Sequence, residues 1–302
     1  MKKILVVDDS PVDRLLIQRL LEKSNEWQVT AVDDGAAAIE LLDHTLVDLI
    51  VTDLQMPNVD GLALVLAVKK RWPNLPIVLV TGAGSDQVAV QALQAGAANY
   101  SPKSALQKDL AATVRFVLEI ANLSHASPAA IHQSNYRSGF VLENDCKLIG
   151  PLIEHLQSQL PEWSDDLRLQ IGMAIGEAMT NAMHHGNLEV NSDLRIGDES
   201  DYYELIRERR NIAPFCDRRV RIQVNFDPKE IQIEINDEGK GFNPSHVADP
   251  TAEENLEKLS GRGLLLIRSF MDEVRHNQDG NHIVMIKRRR SYGLADRKRL
   301  PN

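Results

Sequence analysis

Cysteine is scarce: Cys146 and Cys216 are the only two in 302 residues. Two thiols cannot build a disulfide framework and neither stands in a cluster with zinc spacing, so a reducing compartment fits. Aromatic residues supply 5% of a chain that is 43% hydrophobic, so its cores must be mainly aliphatic. Positive charge is also short, with 34 Lys and Arg against 43 Asp and Glu and a formal net charge of -9. That balance argues against broad electrostatic binding of nucleic acid, which needs a basic face. No stretch approaches the roughly 20 apolar residues of a membrane span. The opening MKKILVV has the charge and apolarity of a targeting segment. Asp8 and Asp9 cut it short, and no small-residue cleavage site follows. A soluble, cytoplasmic protein is expected, with neither nucleic acid nor membrane as partner.

What is present has room for two domains. The first third alternates strand-like runs (Lys3–Val7, Trp27–Val32, Leu46–Thr52, Ile77–Thr81 and Ala98–Ser101) with helical patterns. The first helical pattern runs from Pro11 to Lys23 with Ser10 as its cap, and others begin near Gly35, Gly61, Ser85 and Ser104. This alternation predicts a five-stranded, doubly wound parallel sheet, in which chemistry gathers at the carboxyl ends of the strands. The last of these helices carries Leu106, Leu110, Val114, Val117, Leu118 and Ala121 on one face and ends near Asn122.

From 123 to 138 the periodicity fades and Ser, Ala, His, Asn and Pro dominate, as in a linker. A second unit is expected over 139–290, with a basic tail at 291–302. It opens with a strand at Phe140–Leu142, followed by helical patterns over Cys146–Leu160 and Ser164–His185 and a charged, poorly periodic insert at Asn191–Arg219. Strands at Val220–Phe226 and Ile231–Asn236, a glycine-punctuated loop, a helix near Gly263–Met271 and a strand at His282–Lys287 complete it.

In the first unit Asp8 and Asp9, Asp53, Thr81 and Lys103 all fall at or just after strand ends, which brings them to one edge. Three carboxylates there repel one another and call for a divalent cation, and oxygen ligands at that density suit Mg²⁺. One carboxylate can then attack a phosphoryl group, with Lys103 as a fixed positive charge and Thr81 as a hydroxyl donor. Acids at two strand ends alone would describe a solvated edge. Thr81, Lys103 and Met56-Pro57 in register favour the site. The segments VVDDS, VTDLQMPNVDG, VTG and NYSPKS make residues 1–122 resemble the receiver domain of two-component response regulators, a flavodoxin-like α/β fold. The resemblance implies that Asp53 is the phosphoacceptor, that Asp8 and Asp9 hold Mg²⁺ with it, that Thr81 and Lys103 are the switch hydroxyl and phosphate-binding lysine, and that Tyr100 is the rotating aromatic. One departure is expected to alter the last loop: Ser104, not proline, follows Lys103, and Pro102 precedes it.

In the second unit Glu177, Asn181 and His185 recur every four residues in GEAMTNAMHHGN, along one face of a helix. Glutamate can act as a general base and asparagine can offer a neutral oxygen to a metal. Downstream, Asp237 opens DEGKGF at a strand end, where an acid can accept from an exocyclic amine and glycines admit a flat base. Ser260-Gly-Arg-Gly-Leu264 opens a helix and can present backbone N–H groups to phosphate. Each piece alone is weak, and either histidine taken singly reads first as structural. In this order and spacing the pieces resemble the Bergerat ATP-binding fold of histidine kinases and gyrases. That implies an α+β domain built as an α/β sandwich with a mixed sheet. The compact text is most similar to the anti-sigma-factor serine/threonine kinases.

That resemblance implies Glu177 as base for a substrate hydroxyl, Asn181 as Mg²⁺ and nucleotide ligand, and Asp237 as adenine reader. Gly239 and Gly241 would shape the pocket, with Gly261, Arg262 and Gly263 at the phosphates. The expected function is a response regulator whose Asp53 controls an ATP-dependent protein serine/threonine kinase output. The alternative is an ATP-gated sequestering protein without significant turnover. Implied partners are an upstream histidine kinase or phosphotransfer protein and a downstream sigma factor or serine-bearing anti-sigma antagonist. Both domain types often pair with themselves, which leaves a homodimer open. His125 and His132 lie in no apolar helical hairpin, so histidine autophosphorylation is not expected. No segment reads as a helix-turn-helix.

Overall fold

The computed structural model describes residues 1–82, 86–124, 136–191, 199–242 and 262–289. Five parallel strands form the first sheet: β1 (Lys2–Val7), β2 (Trp27–Val32), β3 (Leu49–Asp53), β4 (Ile77–Thr81) and β5 (Asn99–Pro102), in the order β2-β1-β3-β4-β5. Helices α1 (Pro11–Glu22), α2 (Gly35–His44), α3 (Gly61–Arg71), α4 (Asp86–Gln94) and α5 (Leu106–Ser124) alternate with them. β3 and β4 are buried at every residue, as central strands covered on both faces must be. Side-chain oxygens of Ser10, Asp34 and Asp60 cap α1, α2 and α3 on otherwise orphaned N–H groups. The third strand starts at Leu49, not Leu46. Leu46 is exposed, and the Asp48 carboxylate accepts from the Lys3 N–H at 2.7 Å and Lys2 Nζ at 2.8 Å, closing off the strand's entry. Pro102 ends β5 on the sheet edge, where a missing N–H costs no ladder bond.

The second sheet contains β6 (Tyr136–Leu142), β7 (Val220–Phe226), β8 (Glu230–Asn236), β9 (Glu273–His276) and β10 (His282–Arg288), ordered β6-β7-β8-β10-β9. Every described pairing in it is antiparallel, where a mixed sheet was expected. Short connections explain two of these pairings: only Asp227–Lys229 separates β7 from β8 and only Asn277–Asn281 separates β9 from β10, and such links join antiparallel neighbours. Val220, Ile222, Val224 and Phe226 alternate inward on β7, as do Ile231, Ile233 and Ile235 on β8. They pack in one apolar core with α6 (Ile149–Ser158), α7 (Asp165–Thr180) and α9 (Arg262–Phe270). Buried Lys287 reaches through this layer and donates to the Phe270 carbonyl at 2.6 Å, closing the end of α9.

Two elements differ from the sequence expectation. The helix through Glu177 does not continue regularly to His185. After Thr180 it widens into a π-helical segment over Asn181–Asn187. The charged insert is not structureless either. Helix α8 (Glu199–Arg209) buries Tyr202 and Ile206 against Leu188 and Val190, a small core separate from the main one. Arg209 Nη1 donates to the Leu188 and Glu189 carbonyls at 2.7 Å each, which anchors α8 onto the end of the π-helical segment.

The two halves share one hydrophobic cluster. α5 lies against α6 and α7, and α4 lies against α9. Lys69 Nζ pairs with Asp166 Oδ1 at 2.9 Å, and Asn74 donates to Asp165 at 2.6 Å, so α3 and its exit loop reach the first turn of α7.

Candidate functional sites

At the carboxyl edge of the first sheet, ligand oxygens of Asp8, Asp9 and Asp53 lie within 4.8 Å of one another. Asp8 is fully buried, and its Oδ2 has no hydrogen-bond partner. Burial pushes the Asp8 carboxyl up to about 6, against the opposing effects of Lys103 and the Ser10 N–H. An orphaned buried carboxylate oxygen beside two further acids fits a hard divalent cation such as Mg²⁺. Lys103 Nζ donates to Asp53 Oδ2 at 3.0 Å and to Asp13 Oδ2 at 2.7 Å. Burial works against the lysine's charge, but the hydrogen bonds it donates to Asp13 and Asp53 outweigh that and raise its pKa. Thr81 closes β4 and is buried, and Tyr100 is buried on β5. Gly61 is required here, since a Cβ would stand 2.5 Å from the Asp53 carbonyl oxygen.

Asp13 is the residue sequence reasoning missed. In the first turn of α1 an acid reads as a favourable charge at a helix N-terminus. Only the fold shows that it shares Lys103 with Asp53.

The second site is a cavity of about 530 Å³. Glu177, Asn181, His185, Gly186, Asp237, Gly241, Phe242 and Gly263 line it. Glu177, Asn181 and Gly263 meet closely: a Cβ on Gly263 would lie 2.9 Å from Glu177 Oε2 and 3.3 Å from Asn181 Nδ2. The start of α9 therefore approaches the polar face of α7. Gly239 sits behind Asp237 and donates its N–H to Asp237 Oδ1 at 2.9 Å. Asp237 is packed so tightly against Gly186 that a Cβ there would be 2.4 Å from its carboxyl carbon. Burial pushes the Asp237 carboxyl up to about 6, although the Gly239 N–H and Arg218 favour its charge. Gly241, with φ +70, and Gly280, with φ +73, cross so closely that a Cβ on either would overlap a backbone oxygen of the other's loop. This joins the DEGKGF loop to the β9–β10 turn. Gly261 lies outside the described residues. Arg262 is the first residue of α9, and its side chain lies outside them as well.

Two residues behind the Asp237 loop were not foreseen, Asn187 and Asn144. Asn187 is fully buried; its Oδ1 accepts from the Glu238 N–H at 2.7 Å and its Nδ2 donates to Asn144 Oδ1 at 2.8 Å. Asn144 in turn donates to the Phe215 and Arg218 carbonyls, which ties the insert to the Asp237 loop. His184 faces away from the cavity, with Nε2 3.1 Å from Cys146 Sγ and Nδ1 3.0 Å from the Tyr202 hydroxyl. His185 remains at the cavity, where Nδ1–H donates to the Val190 carbonyl at 2.6 Å. The EAMTNAMHHGN text carried the signal for Asn187, but nothing in it marked that position as buried.

Comparison with known proteins agrees with these two constructions. Residues 4–115 match the response regulator receiver domain family, and residues 143–287 match the histidine kinase-like ATPase domain family. The chain thus joins a receiver domain to a histidine kinase-like ATPase domain of the type that binds ATP. A protein-glutamate methylesterase/protein-glutamine glutaminase of Rhodospirillum centenum is 38% identical over 139 residues, 45% of this chain and 35% of that protein. The transcriptional regulatory protein CpxR of Escherichia coli is 31% identical over 151 residues, 50% of this chain and 62% of that protein. The chain spans about a third of the length of the first of these relatives. Among solved structures, the signal receiver domain of a putative NarL response regulator from Mycobacterium tuberculosis is 30% identical. It covers 39% of this chain and 96% of its own, with a TM-score of 0.37. No helix among the described residues is long and apolar enough to cross a membrane.

Proposed function

We propose that the protein is a response regulator of two-component signalling whose output is an ATP-dependent protein serine/threonine kinase of the anti-sigma-factor type. The observation that carries this reading is the convergence of Glu177, Asn181, Asp237 and Gly263 on one cavity with room for a nucleotide. Asp53 is the phosphoacceptor: its carboxylate attacks the phosphorus of a phosphohistidine on an upstream kinase or phosphotransfer protein, and the bond to the imidazole nitrogen breaks. Asp8 and Asp9 hold Mg²⁺, which when bound neutralises phosphoryl oxygens. Lys103 takes a phosphoryl oxygen, and Thr81 and Tyr100 form the switch.

In the ATPase half, Asp237 accepts from the adenine amine while Gly239 and Gly241 keep the base's entry open. Asn181 supplies a metal ligand, and Gly263 faces the phosphates, a role that the sequence resemblance extends to Gly261 and Arg262. Glu177 takes the proton of a serine or threonine hydroxyl as its oxygen bonds to the γ-phosphorus and ADP leaves. The acceptor is a serine-bearing antagonist of an anti-sigma factor, or a protein of that kind. Phosphoryl transfer asks mainly for positioning and charge neutralisation, which this inventory supplies.

The test is transfer of label from γ-labelled ATP to a protein in soluble extract, with Glu177→Ala beside the wild type. Acid-stable label on serine or threonine, reduced about 10²- to 10⁴-fold in the variant, is expected for loss of a general base. Equal labelling by both would remove Glu177 from the mechanism. Tight ATP binding with no labelled partner would favour sequestration instead.

A further inference from the structure

The wall of the ATP cavity that faces α7 belongs to the receiver. Asn99 of β5 and Asp109, Ala112, Thr113 and Phe116 of α5 line the same cavity as Glu177 and Asn181. α5 is keyed in place by glycines of the other half. A Cβ on Gly176 would lie 2.3 Å from Phe116 Cζ, and one on Gly172 would lie 2.8 Å from Ile120 Cγ2. These glycines are four residues apart on α7, as Phe116 and Ile120 are on α5, so each helix presents one stripe to the other. Gly176 directly precedes Glu177, which places the Phe116 ring beside the polar face of α7.

A second, independent observation points to a ligand on the receiver side. Asn99 is 1% exposed, its Oδ1 accepts from the Tyr100 N–H, and its Nδ2 has no hydrogen-bond partner. A buried amide donor left unpaired destabilises the free protein, a cost that a ligand acceptor in the cavity would remove. Asn99 is also the first residue of β5, and Lys103, bound to Asp53, directly follows the strand. One strand of about 13 Å therefore runs between Lys103, which holds the phosphoacceptor, and the cavity.

We infer that the receiver supplies part of the nucleotide site, with Asn99, Ala112, Thr113 and Phe116 completing it, so that nucleotide binding and modification of Asp53 are linked equilibria. The inference rests on the cavity being an ATP site. With α5 docked, the cavity is complete and nucleotide is held. A phosphoryl group on Asp53 draws on Lys103, disturbs β5 and α5, and opens the cavity, which weakens nucleotide binding and uncovers Glu177 for a protein acceptor. Linkage requires that nucleotide weaken the phosphorylated-like state by the same factor.

The experiment uses the full chain. Affinity for a non-hydrolysable ATP analogue with Mg²⁺ is measured with and without beryllofluoride, an acyl-phosphate analogue, and beryllofluoride affinity is measured with and without nucleotide. Both factors should agree and be at least about fivefold. Ala112 is exposed, so Ala112→Trp keeps the fold while filling the cavity from the receiver side, and should weaken the analogue at least about tenfold. Asn99→Ala should weaken the analogue, and because it also takes the acceptor from the Tyr100 N–H, affinity and not Tm is its readout. Factors of one in both directions, or unchanged analogue affinity in Ala112→Trp, would overturn the inference while leaving the ATP site standing. If the wild type binds no analogue, the ATP reading fails first. Hydrogen exchange then still decides the docking, which is wrong if beryllofluoride leaves protection of α5 and α7 unchanged.

Discussion

Replacing Asp237 by asparagine separates stability from function, because the two should move in opposite directions. The side chain is 8% exposed, and burial raises its pKa from 3.8 to about 6. A carboxyl whose folded pKa lies above its unfolded value contributes most below the unfolded value, near pH 4, and loses that contribution as pH rises through about 6. At pH 7.5 the ionised group thus costs the free protein the equivalent of about two pKa units, on the order of 3 kcal/mol. Asparagine keeps the shape and an oxygen for the Gly239 N–H but carries no charge. Calorimetry of the nucleotide-free protein at pH 7.5 should show Asp237→Asn with a Tm higher by several degrees, at about 2–4 °C per kcal/mol. At pH 4 the difference should close. Nucleotide affinity should fall about 10- to 100-fold, the loss of a charge-assisted hydrogen bond of roughly 1.5–3 kcal/mol. A lower Tm at pH 7.5 would mean that local donors outweigh burial, and the argument from the raised pKa would be wrong. Unchanged affinity would remove Asp237 as the adenine acceptor.

The other expectations concern groups whose partners are equally defined. Asp53→Asn should abolish acid-labile labelling by acetyl phosphate, whereas Asp9→Asn should weaken Mg²⁺ binding and slow labelling; isotope incorporation and calorimetric titration check each. Lys103→Ala should tighten Mg²⁺ binding, because it removes a cation placed among Asp8, Asp13 and Asp53, and should blunt the response to beryllofluoride. Asn187→Ala leaves the Glu238 N–H and the Asn144 carbonyl oxygen without their partner, a loss of about 2–4 kcal/mol by denaturant titration, with weakened nucleotide binding as the Asp237 loop loosens. Gly241→Ala meets a positive φ and would place its Cβ 1.9 Å from the Asp279 carbonyl oxygen, so soluble yield and nucleotide binding should both fall.

The receiver half was legible because its chemistry sits where strands end, and those strands are short aliphatic runs cut off by acids or hydroxyls. Val7 before Asp8, and Thr52 before Asp53, mark both the element and the site. The ATPase half hides more. Glu273–His276 has no buried residue and no apolar alternation, so β9 carries no strand pattern of its own and exists as the partner of β10. β6 begins at Tyr136 with Arg137 and Ser138, polar residues tolerated on an edge strand, so its start fell within the expected linker. Helix α8 is mostly charged, and the apolar residues it buries, Tyr202 and Ile206 with Leu205 beside them, have a target only once Leu188 and Val190 are in place.

The contact between the halves was invisible for a different reason, and the residues show which. The apolar face read on α5, from Leu106 to Ala121, accounts for packing on its own sheet. Phe116 and Ile120 lie off that stripe. A helix apolar on two sides must be covered on two sides, and that surplus is the sequence-level trace of a second partner. On α7 the matching trace is Gly172 and Gly176, two residues that lower helix propensity by about 1 kcal/mol each against alanine in a helix otherwise rich in good formers. The space at Gly176 is filled by Phe116 of α5, and that at Gly172 by Ile120 of α5 together with Gln157 and Ile153 of α6. Alanine at Gly176 should therefore favour the helix and still destabilise the protein. It inserts a methyl 2.3 Å from Phe116 Cζ, and overpacking of about 1–3 kcal/mol exceeds the propensity gained. The penalty falls on the docked arrangement alone, so Phe116→Ala should relieve it in the double variant. A penalty unchanged by Phe116→Ala would place its origin within α7 itself.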